Sequence, residues 1–234
     1  MQTKRFDRRD IKKLVKSKPI SGTFNVFENG CGIIKIYKDV MADLLKYGTM
    51  IFPFGLVDPK QIEWLSGMQS RINGSTLPSG VIYFENYPIG VMYEKYFKGY
   101  VSFNKLHQES FDLMFSNFRS SVDKNIELMS NGIFNQDLGM QNILYSSNDV
   151  ELIDLDGKYI YSNLPLVKVY SYYVYGMMKL IVDRVTLLYG EDEAKRVASE
   201  IKKIMKSFDK QIECFDYPHM VLDEVEKSCI LRLK

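Results

Sequence analysis

Two short segments in the middle of the chain carry residue types that can hold a divalent cation. Asp137 and Asn142 lie five residues apart, between apolar residues that predict short strands. A further aspartate, Asp154, follows the strand-like residues 150–153. Carboxylate and amide oxygens are hard ligands that suit Mg²⁺, which proteins usually hold with one or two carboxylates and substrate phosphates. A carboxylate that is not used by the metal can accept the proton of an attacking hydroxyl, so the pattern indicates phosphoryl transfer.

Both segments resemble motifs of the protein-kinase-like superfamily. The sequence Asn-Gln-Asp-Leu-Gly-Met-Gln-Asn-Ile-Leu at 135–144 resembles its catalytic loop, and Ile-Asp-Leu-Asp-Gly at 153–157 resembles its metal-binding strand end. This resemblance implies that Asp137 is the catalytic base, that Asn142 is a metal ligand, and that Asp154 bridges metal and phosphates. It also implies ATP and Mg²⁺ as cofactors. Each segment alone is equally typical of a turn, because Asp, Asn and Gly favour turns.

The resemblance further implies an α+β fold with two lobes, a small antiparallel β N-lobe and a mainly α-helical C-lobe. Strand-like patterns dominate before residue 98, and helical periodicity dominates after it. We therefore predict an N-lobe at 1–98, with a basic N-terminal arm at 1–18, and a C-lobe at 99–234 that contains the catalytic loop.

Residues 21–39 predict a hairpin of two strands with a turn near 28–30. By the resemblance, the second strand carries the lysine that grips the α- and β-phosphates, and Lys35 is the first candidate. Lys38 is the alternative, because the glycine-rich loop of the family is incomplete here and does not fix the alignment. Either lysine can also be a solvated strand residue.

Asp58 followed by Pro59 predicts the start of a helix that runs to about Ile72. By the resemblance, Glu63 on this helix is the carboxylate that pairs with Lys35 and fixes it against the phosphates. The alternative is a surface glutamate on an amphipathic helix.

Two further strands are predicted at 80–84 and 89–97, joined by a turn at 85–88. The resemblance places the adenine pocket at the end of this hairpin. It implies that Tyr93 gates the pocket and that the backbone of Glu94 and Tyr96 binds the base. Leu144 would form the apolar floor under the adenine.

Helical periodicity continues through the second half of the chain. Helices are predicted at 111–129, 166–188 and 192–208, with a short closing helix from about Pro218. Few residues separate Asp154 from the helix at 166, which leaves no room for the long activation loop of regulated protein kinases. Asn135 and Gln136 replace the His and Arg of those kinases, so we expect no phosphate-dependent switch, although Asn135 can still hydrogen-bond the loop backbone.

Composition indicates a cytoplasmic protein. The net charge is only +2, but residues 1–18 contain eight Lys and Arg against two Asp. This basic segment suggests an acidic partner. The alternatives are a solvated helix docked through Ile11 and Leu14, or a flexible N-terminal segment. Three cysteines show no zinc or redox spacing. The most apolar stretch, 164–189, contains four charged residues, so no membrane span is expected.

The sequence therefore predicts an ATP- and Mg²⁺-dependent phosphotransferase that acts on a hydroxyl of a protein or a small molecule. The alternative is a catalytically inactive pseudokinase that serves as a nucleotide-binding or protein-interaction module. The incomplete glycine loop favours the module, and the presence of Asp137, Asn142 and Asp154 together favours the enzyme.

Overall fold

The structure is a computed structural model with an α+β fold. It describes residues 2–16, 25–29, 32–37, 40–42, 46, 57–72, 76–95, 98–147, 149–156, 160–162, 164–231 and 233. The chain divides into two compact units. Unit 1 comprises Met1–Lys98 and Asp154–Lys158, and unit 2 comprises Gly99–Ile153 and Tyr159–Lys234.

Unit 1 contains a five-stranded, mainly antiparallel sheet. Its strands are β1 (Gln2–Phe6), β2 (Asn25–Asn29), β3 (Gly32–Ile36), β4 (Gly80–Phe84) and β5 (Tyr87–Tyr93). Their spatial order is β1-β4-β5-β3-β2, and the pair β1–β4 is parallel. Strands β2 and β3 form the predicted hairpin, but Asn29 still pairs with Gly32. Glu28 and Asn29, which were predicted to lie in the turn, are therefore part of β2, and Gly30 lies outside the described residues.

The hairpin of β4 and β5 has a tighter turn than the sequence indicated. The predicted turn at 85–88 is wrong in length, because only 85–86 form the turn and β5 begins at the next residue. Pro88 thus lies inside a strand, beside a register shift between Ile82 and Tyr83. Such an irregularity accommodates a residue that lacks the N–H donor of the strand ladder.

The two faces of this sheet pack into different apolar clusters, because successive side chains of a strand point to opposite faces. Ile34 and Ile36 of β3 belong to one cluster, which also contains Ile11. Ile33 lies against the other cluster, which contains Ile62. Lys35 alternates with Ile34 and Ile36 and therefore lies on the Ile33 face.

The basic N-terminal residues are part of the sheet unit, and the described residues 2–16 of the predicted arm at 1–18 form a strand and a helix. Strand β1 extends β4 in parallel, and the helix α1 (Arg8–Lys16) follows it. Ile11 of α1 is buried and Leu14 packs against the same cluster, so the docked-helix alternative is confirmed. The strand was missed because only Phe6 of this edge strand is buried.

The helix that was predicted from Asp58 and Pro59 is present as α2 (Pro59–Met68). The Asp58 side chain accepts a hydrogen bond from the Lys60 backbone N–H at 3.0 Å, which caps the helix as expected. A 3-10 turn extends it to residue 71. Ile62 and Leu65 face the sheet and are fully buried.

Unit 2 is mainly helical. Its long helices are α3 (Phe111–Ser130), α4 (Leu166–Tyr189), α5 (Glu191–Ser207) and α6 (Tyr217–Val225). The predicted helix ends agree with these bounds to within one residue. For the last helix, only the start was predicted. Ser110 caps α3 through its hydroxyl, which accepts from the Leu113 backbone N–H at 3.3 Å. Gly190, with φ at +87°, separates α4 from α5.

Short strands of unit 2 surround the segment that was predicted to be the catalytic loop. Strands β6 (Val101–Ser102), β8 (Ile143–Tyr145) and β9 (Val150–Leu152) form one antiparallel sheet, and β7 (Phe134–Asn135) pairs with β10 (Ile160–Tyr161). The loop thus leaves β7, passes through a 3-10 turn at Met140–Asn142 and enters β8. In the described part of the chain, no helix has the length and apolar character needed to cross a bilayer.

The docking of α1 can be tested by stability. Ile11→Ala should lower the free energy of unfolding by about 2–5 kcal/mol, because it removes a buried side chain from the core. The matched control is Lys12→Ala, an exposed neighbour, which should change stability by less than about 0.5 kcal/mol. Urea denaturation measures both. Equal midpoints for the two variants would show that α1 is not docked.

Candidate functional site

The loop after β7 is held by its own amide side chains. The Asn135 side-chain oxygen accepts a hydrogen bond from the Asp137 backbone N–H at 2.9 Å. Asn135 is almost completely buried. The expectation that Asn135 bonds the loop backbone is therefore confirmed.

Asn142 closes the other end of the same loop. Its side-chain nitrogen donates to the Asp137 carbonyl oxygen at 2.8 Å, and its backbone N–H donates to the Gly139 carbonyl at 2.8 Å. Because the nitrogen of the Asn142 amide is used inside the loop, its oxygen is directed away from that bond. An amide oxygen oriented in this way can serve as a cation ligand.

Asp137 lies at the centre of this arrangement and is exposed. Hydrogen bonds hold its backbone on both sides, through its N–H and its carbonyl. Leu138, which follows it, is buried and anchors the loop in the core of unit 2. A carboxylate on a fixed backbone that reaches solvent is suited to accept a proton from a bound hydroxyl.

Asp154 belongs to unit 1 and has an unusual backbone conformation. Its φ of +65° lies in the left-handed region, which costs roughly 1–3 kcal/mol for a residue with a side chain. Aspartate tolerates this region better than most residues. Strained residues of this kind are concentrated at functional sites.

Within unit 1, the segment that contains Asp154 meets strand β3 at Lys35. The Lys35 ammonium forms ion pairs with Asp154 and with Asp156, the latter at 3.0 Å. The structure thus brings together two predicted site residues that are 119 positions apart. Strand β5 approaches closely behind them, because a Cβ atom at Gly90 would collide with the Lys35 carbonyl oxygen.

Burial makes this cluster electrostatically strong. Desolvation alone would lower the pKa of Lys35, but the negative charges of Asp156 and Asp154 outweigh it and raise the pKa above its ordinary value. Burial raises the pKa of Asp156, and the positive charge of Lys35 offsets part of that effect. Lys35 is therefore held as a cation in a low-dielectric environment, where Coulomb interactions are several times stronger than in water.

Two tyrosines line the cluster. Lys35 Nζ lies 5.8 Å from the centroid of the Tyr37 ring, in the range of a cation–π contact. Tyr93 is buried, and its burial together with the charges of Asp156 and Asp154 raises its pKa well above the ordinary value. Both phenols are therefore neutral at physiological pH.

The predicted partner of Lys35 differs from it in burial. Glu63 is exposed on α2, whereas Lys35 is buried. Lys35 forms ion pairs with Asp154 and Asp156. The role assigned to Glu63 stays a prediction. Lys38 lies outside the described residues.

The residues expected around adenine are placed only in part. Strand β5 ends at Tyr93, before the predicted end at 97, and exposed Glu94 accepts a hydrogen bond from the Gln2 side chain at 3.1 Å. Tyr96 lies outside the described residues. Leu144 is half-buried on β8, opposite Ser102. Their roles toward the base stay predictions.

The donor set is compatible with magnesium. Among the described residues, no group of three or more His, Cys, Asp or Glu side chains could hold a metal by itself. Magnesium does not need such a group, since one or two carboxylates and substrate phosphates commonly complete its coordination. In unit 1, Asp154 offers a partly exposed carboxylate. In unit 2, Asn142 offers an amide oxygen. Each by itself is a hard oxygen donor of the type that Mg²⁺ binds.

Asp156 is the functional candidate that sequence reasoning did not assign. It stands two positions after Asp154, and Leu155 between them is fully buried. The available signal was this alternation of two aspartates around an apolar residue. It was not decisive, because Asp followed by Gly is also a common turn pair.

Comparison with known proteins does not assign the chain to a family. No protein-family model matches the chain, and the curated proteins contain no significant match to it. The resemblance to the protein-kinase-like superfamily therefore rests on the residues described above.

The ion-pair cluster predicts a large effect on stability. Lys35→Met should lower the free energy of unfolding by about 3–5 kcal/mol, because it leaves the buried Asp156 without its compensating charge. Lys60→Met, at an exposed lysine of α2, is the control and should change stability by less than about 0.5 kcal/mol. Chemical denaturation at neutral pH measures both variants. A Lys35→Met variant as stable as the control would show that the cluster does not form.

Proposed function

We propose that this chain is an ATP- and Mg²⁺-dependent phosphotransferase with a two-lobed, protein-kinase-like fold. The observation that supports this most is the buried ion-pair cluster of Lys35 with Asp154 and Asp156. The sequence motifs assigned Lys35 to the phosphates and Asp154 to the metal, and in the structure the two side chains meet. A chance pair of turn motifs gives no reason for such a contact.

In the proposed reaction, the residues of the chain position the reactants and neutralise charge. Lys35 binds the α- and β-phosphates of ATP, and the Asp137 carboxylate accepts the proton of the acceptor hydroxyl. Asp154 and Asn142 would hold Mg²⁺, which when bound neutralises negative charge on the phosphates. Phosphoryl transfer needs little covalent participation by the protein, so positioning and electrostatics supply most of the catalysis.

The remaining parts of the proposal concern the nucleotide base and the acceptor. Leu144 and the backbone of Glu94 and Tyr96 would contact adenine. The acceptor is a hydroxyl of a protein or of a small molecule. The exposed Lys12 and Lys13 of α1 favour an acidic partner for the N-terminal residues.

A second candidate function is a nucleotide-binding or protein-interaction module that transfers no phosphate. One observation favours it: the Lys35 ammonium bonds directly to the Asp154 carboxylate. A cation at Asp154 would have to compete with that ammonium. In an enzyme, Lys35 must leave Asp154 for the ATP phosphates so that the cation can bind Asp154. A module that transfers no phosphate does not need Lys35 to move.

The base assignment can be tested with Asp137→Asn. The purified chain with Mg²⁺ and radiolabelled ATP should hydrolyse or transfer the γ-phosphate, and the variant should lose about 100-fold or more of this rate, because general-base catalysis contributes that much. Thermal stabilisation by ATP should remain, since the carboxylate does not bind the nucleotide. Asp209→Asn, at another exposed aspartate of unit 2, should keep the full rate.

Unchanged turnover in Asp137→Asn would reject the base assignment. ATP-induced stabilisation of the unmutated chain without any turnover would favour the module. The absence of both would reject the nucleotide proposal.

The metal assignment is tested by the magnesium dependence of ATP binding. Asp154→Asn retains the tolerance for a left-handed backbone but removes the charge. In calorimetric titrations, Mg²⁺ should strengthen ATP binding to the unmutated chain and should have little effect on the variant. With EDTA, the two proteins should bind ATP similarly. An equal magnesium effect in both would contradict the role of Asp154.

A further inference from the structure

The two aspartates that contact Lys35 differ in their access to solvent. The Asp154 side chain is 22% exposed, whereas that of Asp156 is fully buried. An incoming cation or phosphate can therefore reach Asp154, but it cannot reach Asp156 without opening the core. The two ion pairs have different consequences for Lys35.

The pair with Asp156 is costly to break. If Lys35 left both aspartates, the buried Asp156 carboxylate would lose its positive partner in a low-dielectric environment, a change that is strongly unfavourable. If Lys35 left only Asp154, that carboxylate would be solvated or would bind a cation. Lys35 can thus exchange Asp154 for a ligand while it remains bonded to Asp156.

Two tyrosines flank the Asp156 carboxylate, and one lysine compensates its charge. Tyr93 on β5 and Tyr37 after β3 flank the cluster and are neutral, and the negative charge of Asp156 contributes to the raised pKa of both. Tyr93 lies close enough to Asp156 for each of the two groups to shift the pKa of the other. One Asp156 carboxylate oxygen receives the Lys35 ammonium, so the lysine is the main compensation for the charge of this aspartate.

Glu63 on α2 lacks the burial that Asp156 has. Glu63 extends from α2 into solvent, and an exposed ion pair contributes little because water screens it and the side chains lose entropy. A carboxylate that orients a buried ammonium must itself be inside the core. Asp156 meets this condition, with its oxygen 3.0 Å from Lys35 Nζ.

We propose that Asp156 is the positioning residue that holds Lys35 toward the nucleotide phosphates, in the role that the sequence motif assigned to Glu63. This inference rests on the proposed function, because it concerns the same phosphate-binding lysine. Asp154 then remains available to the cation when Lys35 moves to the phosphates. Asp156 itself touches neither ATP nor metal, and it acts only through Lys35.

The test compares Asp156→Asn with Glu63→Gln, each of which removes one charge and retains the side-chain shape. Calorimetry with ATP and Mg²⁺, and separately with adenosine, measures the effect. Asp156→Asn should weaken ATP binding about 10- to 100-fold, because a charge-assisted hydrogen bond to Lys35 is lost. Its adenosine affinity should be unchanged, since adenosine has no phosphates for Lys35 to contact. Glu63→Gln should bind ATP within about twofold of the unmutated chain.

Each result bears on the proposal. Selective loss of ATP binding in Asp156→Asn, with adenosine binding retained, supports it. Unchanged ATP binding, or parallel loss of ATP and adenosine binding, contradicts a positioning role. Selective loss of ATP binding in Glu63→Gln overturns the inference even if Asp156→Asn does not fold. If the unmutated chain binds neither ligand, the proposed function itself fails and this role fails with it.

A double variant separates a direct effect from an indirect one. In a Lys35→Met background, Asp156→Asn should have no further effect on ATP binding, because the residue through which it acts is absent. Residues in direct contact, such as Lys35 and Asp156, are expected to change the free energy of ATP binding non-additively. Additive losses would mean that Asp156 contacts the nucleotide by another route, which would contradict the proposal.

Discussion

The burial of the Lys35 ammonium is the constraint on which the candidate site of unit 1 depends. A lysine is rarely found inside a core, because the loss of its hydration costs several kcal/mol unless negative groups compensate it. Asp154 and Asp156 supply that compensation. One short segment, 154–156, is thereby tied to strand β3, although more than a hundred residues separate them in the chain.

This constraint also explains the backbone conformation of Asp154. Asp154 keeps a left-handed backbone because the ion pair and the buried Leu155 fix the segment on both sides of it. The conformational cost at Asp154 is thus offset by packing and charge in the same cluster.

The sequence predicted local structure better than it predicted contacts. The helices of unit 2 and the cap at Asp58 were predictable, because periodicity and capping depend on residues within a few positions of one another. Strand β1 was not, since it pairs with β4, which lies 78 positions further along the chain, and its exposed residues are polar or charged. The Lys35 partner was predicted by motif position alone, a criterion that contains no information about burial. Asp156 could be recognised only once the structure showed which carboxylate enters the core.

The loop of unit 2 that contains Asp137 is fixed by a different principle. Asn135 and Asn142 are neutral, and each bonds the backbone of Asp137, one at its N–H and the other at its carbonyl. The position of Asp137 therefore depends on amide hydrogen bonds inside the loop, which need no charged partner and are little affected by salt. Both ends of this loop are thus closed by uncharged amide groups of the loop itself.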